Sequence, residues 1–207
     1  MSRMSPETKT VTWLVGVVVT MGALAWAAFS AHNLPDGVEP MIEGAATVDP
    51  EDFSYPHGTH LAAMEVDTET GKVRVRKYVC VDDVGNQINP MIVEGQVHGG
   101  LACGIAQALY EGVEYDKDGN LLTASLADYL IPSAADLPSF ITDRTETPST
   151  TNPLGTKGIG EAGAIASTPA IINGIVDALR PMGVNDVKMP ATPENVWRAI
   201  QAAGGAK

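Results

Sequence analysis

The chain has 207 residues, with 25 acidic against 13 basic side chains, a formal net charge of −12 and a pI near 4.6. That sign of charge excludes a broad phosphate-binding surface, and with it a nucleic-acid partner. Hydrophobic residues at 44% suffice for a core, while the two cysteines, Cys80 and Cys103, make neither a disulfide framework nor a paired metal-binding motif.

The first predicted element is Val11–Ala31, 21 residues without a charge. It meets the length needed to cross a bilayer. Arg3 and Lys9 before it would hold the N-terminus in the cytoplasm, the small residues at Ala28–Ala31 equally suit a cleaved signal, and a buried apolar helix is the bland reading. The expected organisation is therefore residues 1–31, an apolar N-terminal helix acting as membrane anchor or signal, and residues 32–207, one domain. His32, His57, His60 and His98 form no evident ligand cluster, and "PHGTH" reads as a surface loop.

From Gly58 onward the pattern is α+β, a mixed sheet with packed helices. "HLAAMEVDTETGKVRVRKYVCVDD" predicts two strands joined by a polar turn at Asp67–Lys72, because Val73 and Val75 alternate with Arg74 and Arg76 at period two. "VGNQINP" is a loop. "MIVEGQVHGGLACGIAQALYEG" predicts a helix over its second half, with Leu101, Ile105, Ala108 and Leu109 on one face. Gly95, Gly99, Gly100 and Gly104 each cost about 1 kcal/mol there relative to alanine. Their smallness must serve close helix packing or a ligand against the backbone. "YDKDGNLL" suggests a hairpin turn, "PSAADLPSF" a loop and "FITDRTET" a strand. Thr168 is expected to cap a helix with Pro169 at its first position, buried through Ile171, Ile172, Ile175, Val176 and Leu179 and ended by "RPMG". "TPENVWRAIQAA" repeats the device with Thr192 and Pro193.

The stretch "GTKGIGEAG" lies between the last strand and that helix, so two rigid elements can present it as a ligand-facing loop. Gly155, Gly158, Gly160 and Gly163 free backbone amides to converge as anion-binding nests do. Lys157 adds a positive charge and Glu161 a candidate base. The competing reading is a Gly-rich connector with a solvated glutamate.

"INPMIVEGQVHGGLACGIAQALYE", "DYLIPSAADLPSF", "TETPSTTNPLGTKGIGEAGAIASTPAIINGIVDALRP" and "MPATPENVWRAI" fall in the order found in the C-terminal part of molybdopterin-binding large subunits. From about residue 32 to its end the chain resembles the xanthine oxidase family of molybdenum hydroxylases, above all large chains of the aerobic carbon monoxide dehydrogenase type. The resemblance implies that Glu161 is the catalytic base beside molybdenum, assisting hydroxyl attack there on a small substrate: carbon monoxide, an aldehyde or an N-heterocycle. It implies that Lys157, Gly158, Ile159 and Gly160 belong to the loop that wraps the cofactor. Gln96 resembles the glutamine whose amide hydrogen-bonds the pterin, which suits an amide because it both donates and accepts. The bland alternative for Gln96 is a helix cap or surface residue.

Two departures stand out. Cys103 occupies a position where family members have glutamine, and a thiol cannot make the same pair of hydrogen bonds; nor is it the family's copper-binding cysteine, which belongs to an upstream loop. The chain is also several-fold shorter than family large subunits. The implied function is that of a C-terminal fragment or split piece of a large subunit. It would hold molybdopterin, in the cytosine dinucleotide form, together with the remaining large-subunit domains, and would work with an iron–sulfur small subunit and an FAD medium subunit in the cytoplasm. The alternative is a non-catalytic remnant or a membrane-tethered assembly module without metal.

Overall fold

The computed structural model describes residues 44–204 except 46, 48, 50 and 51. The apolar helix expected at 11–31 lies outside the described residues. The unit Pro50–Lys207 carries all the elements that follow.

Strands β1 (His57–Val66) and β2 (Val73–Asp83) form the expected antiparallel hairpin. Its turn closes through Asp67, whose carbonyl accepts from the Gly71 amide at 2.8 Å, and Gly71 supplies the positive φ of 71°. β2 does not keep one alternation throughout. Val73 and Val75 face inward in its first half, and Tyr78, Cys80 and Asp82 in its second. The cause is a bulge: Val66 pairs with Val73 and Met64 with Val75, but Ala63 pairs with Lys77, leaving Arg76 as the extra residue.

After β2 the chain crosses through helix α1 (Pro90–Leu109) to β3 (Phe140–Thr145), which lies parallel to β2, so the sheet order is β1-β2-β3. A parallel neighbour requires such a crossover. α1 begins at Pro90, well before the second half of the glycine-rich stretch where the helix was expected. Asn89 is the reason: its Oδ1 accepts from the amides of Met91 at 3.1 Å and Ile92 at 3.3 Å, with Pro90 in the first turn. The "YDKDGNLL" hairpin reduces to a single bridge between Tyr115 and Leu121.

Helix α2 (Ala162–Leu179) also starts a full turn and more before the expected cap at Thr168. The amides of Ala164 and Ile165 already donate to the Glu161 carbonyl at 2.9 and 3.0 Å. Pro169 sits inside the helix, and Thr168 Oγ1 turns across to the Gly104 carbonyl at 3.1 Å and Gln107 Oε1 at 3.0 Å. The inner stripe is otherwise as expected: Ile171, Ile175 and Leu179 are fully buried. By length and composition Ala162–Met182 would pass as a membrane span, but this stripe is spent on the core. A 3-10 turn, Arg180–Met182, and Gly183 at φ 83° end it. Helix α3 (Pro193–Ala202) has the expected Thr192 cap and buries Val196 and Ile200.

α1 and α2 pack through glycines. A Cβ on Gly100 would stand 2.9 Å from the Ala164 nitrogen and the Gly163 Cα, and one on Gly104 would strike Ser167 Oγ. Both contacts advance together along the two sequences, so the helices run in the same direction. Gly99, on the neighbouring face of α1, meets nothing within 4 Å. Gly100→Ala is therefore expected to cost about 1–3 kcal/mol by overpacking, whereas Gly99→Ala gains up to about 1 kcal/mol of helix propensity. Urea unfolding of the two variants checks the contrast; equal effects would refute this packing.

Candidate functional site

The Gly-rich loop is fastened at its base. Asn152 closes its first part, with Nδ2 donating to the Thr156 carbonyl at 2.9 Å and Oδ1 accepting from the Thr156 amide at 3.1 Å. Gly155, at φ 65°, presents its carbonyl to the amides of Asn86 and Ser149, each at 3.0 Å. The Lys157 amide donates to the Val84 carbonyl at 2.8 Å. These bonds tie the loop to the connection between β2 and α1.

The Lys157 ammonium completes the fastening. Its Nζ lies 2.9 Å from Asp83 Oδ1, with the lysine side chain 10% and the aspartate side chain 0% exposed. Burial by itself would raise the Asp83 carboxyl. The Lys157 ammonium, the Thr147 hydroxyl and the Gly85 amide outweigh it and hold the group well below the usual carboxylate range. The sequence reads the Lys157 charge as an addition to the ligand-facing loop; in the structure its ammonium is paired with Asp83.

Beyond Lys157 the loop opens. Gly158, Gly160 and Glu161 are exposed and Ile159 is half-buried. Among the described residues the amides of Gly158, Ile159, Gly160 and Glu161 meet no acceptor. Glu161 occupies the cap position of α2 at φ −108° and ψ −11°, and its side chain makes no capping bond. Its carboxylate therefore stands free beside a run of unpaired donors at the positive end of an 18-residue helix.

Gln96 is exposed on α1, and Asn89 rather than Gln96 provides the helix cap. It lies one turn before Gly100, which faces Gly163 and Ala164. Parallel packing then sets Gln96 level with loop 158–161. Gly99 and the exposed Cys103 continue the same face at helical spacing. The predicted residues thus fall at one end of the α1–α2 pair, except for the Lys157 side chain.

Residues 4–138 match the molybdopterin cofactor-binding domain. The chain belongs to that family. The match runs through the apolar 11–31 stretch and stops before Glu161. The chain is 41% identical over 182 residues to the carbon monoxide dehydrogenase large chain of Hydrogenophaga pseudoflava, covering 88% of this chain and 22% of that one. It is 40% identical over 184 residues to the nicotine 6-hydroxylase large subunit of Paenarthrobacter nicotinovorans, with the same coverage of 88% and 22%. The crystal structure of the Cu,Mo-CO dehydrogenase in its carbon monoxide reduced state superposes with a TM-score of 0.77 at 37% identity, over 87% of this chain and 22% of that one. The chain thus spans about a fifth of the length of the relatives it matches.

The residues present fit one wall of a molybdopterin site. A Cβ on Gly95, Gly99, Gly158 or Gly160 would meet nothing within 4 Å, so the backbone there is bare and approachable. The unpaired amides and the Gln96 side chain supply donors for a polar, anionic group.

One cluster escaped the sequence. His60 is not a surface-loop histidine; its side chain is 1% exposed. Nδ1 lies 2.9 Å from the Tyr78 hydroxyl, and Nε2 lies 3.2 Å from Asp82 Oδ1 and 3.3 Å from Cys80 Sγ. Cys80 Sγ donates to Asp82 Oδ2 at 3.0 Å. Burial pushes the Cys80 thiol up, and the Asp82 hydrogen bond adds to it.

Proposed function

We propose that the chain is the C-terminal part of a molybdenum hydroxylase large subunit, with Glu161 as its base. The observation that carries this reading is the pairing of a free Glu161 carboxylate with the unpaired amides of residues 158–161. Names of the relatives support the class: they include a carbon monoxide dehydrogenase and a nicotine hydroxylase. When bound, the molybdenum cofactor, in its cytosine dinucleotide form, supplies the redox chemistry that oxidises a small substrate.

The chain's own residues bind, orient and move a proton. The amides of Gly158 to Glu161 donate to anionic oxygens of the bound group, helped by the helix dipole. Gln96 would both donate to and accept from the group through one side-chain amide and so help to orient it. The Asp83–Lys157 pair holds the loop so that these donors need no reordering on binding. Glu161 accepts a proton at a carboxylate oxygen, the task of a base with an unengaged lone pair. The remaining large-subunit domains supply the other walls, and an iron–sulfur small subunit and an FAD medium subunit carry electrons away, in the cytoplasm.

Cys103 favours a second reading. A thiol about two helical turns from Gln96 on the same face lacks an amide's hydrogen bonds, which suits a remnant or assembly module that holds no metal. Metal content separates the two. The purified 207-residue chain is expected to hold far less than one molybdenum per chain, and co-expression with the upstream domains of a related large subunit to raise that content toward one. A chain that stays metal-free in the assembled complex would remove the enzyme reading.

A further inference from the structure

We propose that His60, Cys80 and Asp82 form a binding site for a zinc-type divalent cation on the inner face of the β1–β2 hairpin. The proposal is independent of the molybdenum reading and uses none of its residues.

The site is built by strand pairing. Cys80 and Asp82 are two apart on β2 and share its inner face, and His60 on β1 pairs directly with Cys80. One nitrogen, one sulfur and one carboxylate then stand mutually close: His60 Nε2 is 3.3 Å from Cys80 Sγ, and the two oxygens of Asp82 face one partner each, Oδ1 at 3.2 Å from Nε2 and Oδ2 at 3.0 Å from Sγ. All the candidate ligand atoms lie within 4.8 Å of one another. Tetrahedral zinc bound by these atom types has donor–donor edges of about 3.2–3.6 Å, from bond lengths near 2.0–2.3 Å. The nitrogen–sulfur edge already falls in that range, and the Asp82 carboxylate has an oxygen near each of the other two donors, so the ion can be taken through either oxygen by a small rotation of the carboxylate.

Three further features fit a cation. The mixed N, S and O donor set suits a borderline-soft metal rather than calcium or magnesium. Tyr78 OH engages His60 Nδ1 at 2.9 Å and leaves Nε2 to face the cluster, the outer hydrogen bond that orients metal-bound histidines. A cavity of about 100 Å³, lined by His60, Asp82, Gly58, Ala162 and Ile165, offers the fourth position to a water. Charge also balances: a neutral imidazole, a thiolate and a carboxylate neutralise a divalent ion. On binding, the Cys80 S–H bond breaks, its proton leaves to solvent and the sulfur electron pair forms the metal bond; nothing is oxidised or reduced.

Cobalt(II) tests the site, because thiolate bound to it gives a sulfur-to-metal charge-transfer band and tetrahedral geometry gives intense visible bands. The probe is cobalt chloride added to the full chain carrying Cys103→Ser, in which Cys80 is the only sulfur ligand of the cysteine type. One cobalt per chain with both bands, bleached by one equivalent of zinc, is expected. The bands should vanish in a Cys80→Ala, Cys103→Ser chain, and zinc should raise the thermal midpoint of the Cys103→Ser chain alone. Absence of the charge-transfer band from the Cys103→Ser chain overturns the proposal and leaves the cluster as a metal-free hydrogen-bonded network. That arm decides even if Cys80→Ala fails to fold.

Discussion

Lys157→Ala is expected to lower the stability of the chain by about 3–5 kcal/mol, the usual cost of stranding one member of a buried ion pair. Asp83 would be left fully buried without its cation, retaining only hydroxyl partners, Thr145 Oγ1 at 3.0 Å among them, and amide partners such as Gly85. Adding Asp83→Asn to Lys157→Ala should recover part of the loss, because the stranded charge is removed; the two changes are then strongly non-additive. Urea unfolding of the metal-free chain measures both. A lysine whose ammonium served only a bound group would leave that stability untouched, so an unchanged midpoint for Lys157→Ala would contradict the inward geometry. The pair also predicts a pH dependence. Its folded carboxyl lies below the unfolded value, so its contribution is present above about pH 4, where an unfolded aspartate ionises. It is lost as pH falls toward the folded pKa. Wild-type chain should weaken over that acid range more steeply than the Lys157→Ala, Asp83→Asn chain.

Much of the fold was legible because local signals and packing agree. Val73, Val75, the Asp67–Lys72 turn and the Thr192–Pro193 cap each specify their element through neighbours a few residues away. Two helix starts were misplaced, each by a long-range effect. Thr168 and Pro169 form a good start signal, but the Thr168 hydroxyl is engaged by Gly104 and Gln107 on the other helix, and α2 continues backward to Ala162. The glycines of α1 look costly in isolation; Gly100 and Gly104 are required by the close approach of α2, which no single-helix pattern reveals. The His60 cluster was hidden by the bulge. An unbroken hairpin continued from the Val66–Val73 pair would place His60 opposite Val79. The extra residue Arg76 moves it opposite Cys80 and moves the inward set to Tyr78, Cys80 and Asp82. Of the candidate site, Glu161, Gly158 and Gly160 were legible as an open loop, and Gln96 joined them only through the family resemblance. The direction of Lys157 was not legible, because Asp83 lies 74 residues away.

Glu161→Gln carries the largest expected effect on function. In an assembled, metal-loaded complex the variant should retain its cofactor and lose turnover by about two to four powers of ten, the usual contribution of a positioned base. The substitution keeps the side chain's length and shape. The wild-type carboxylate makes no capping bond to the helix, so the start of α2 loses nothing by the change. The amides of Gly158 to Glu161 are backbone groups and stay in place, held from below by Lys157 and Asp83. What disappears is proton acceptance, since a glutamine amide oxygen is far too weak a base to take a proton near neutral pH. Two quantities separate this role from a structural one: molybdenum per chain, which should be unchanged, and turnover per molybdenum, which should collapse. Gln96→Ala should show the opposite division, with lower metal content and smaller loss in each loaded site, because its amide holds rather than reacts. Normal turnover per molybdenum in Glu161→Gln would return this glutamate to the solvated loop residue that its exposure alone describes.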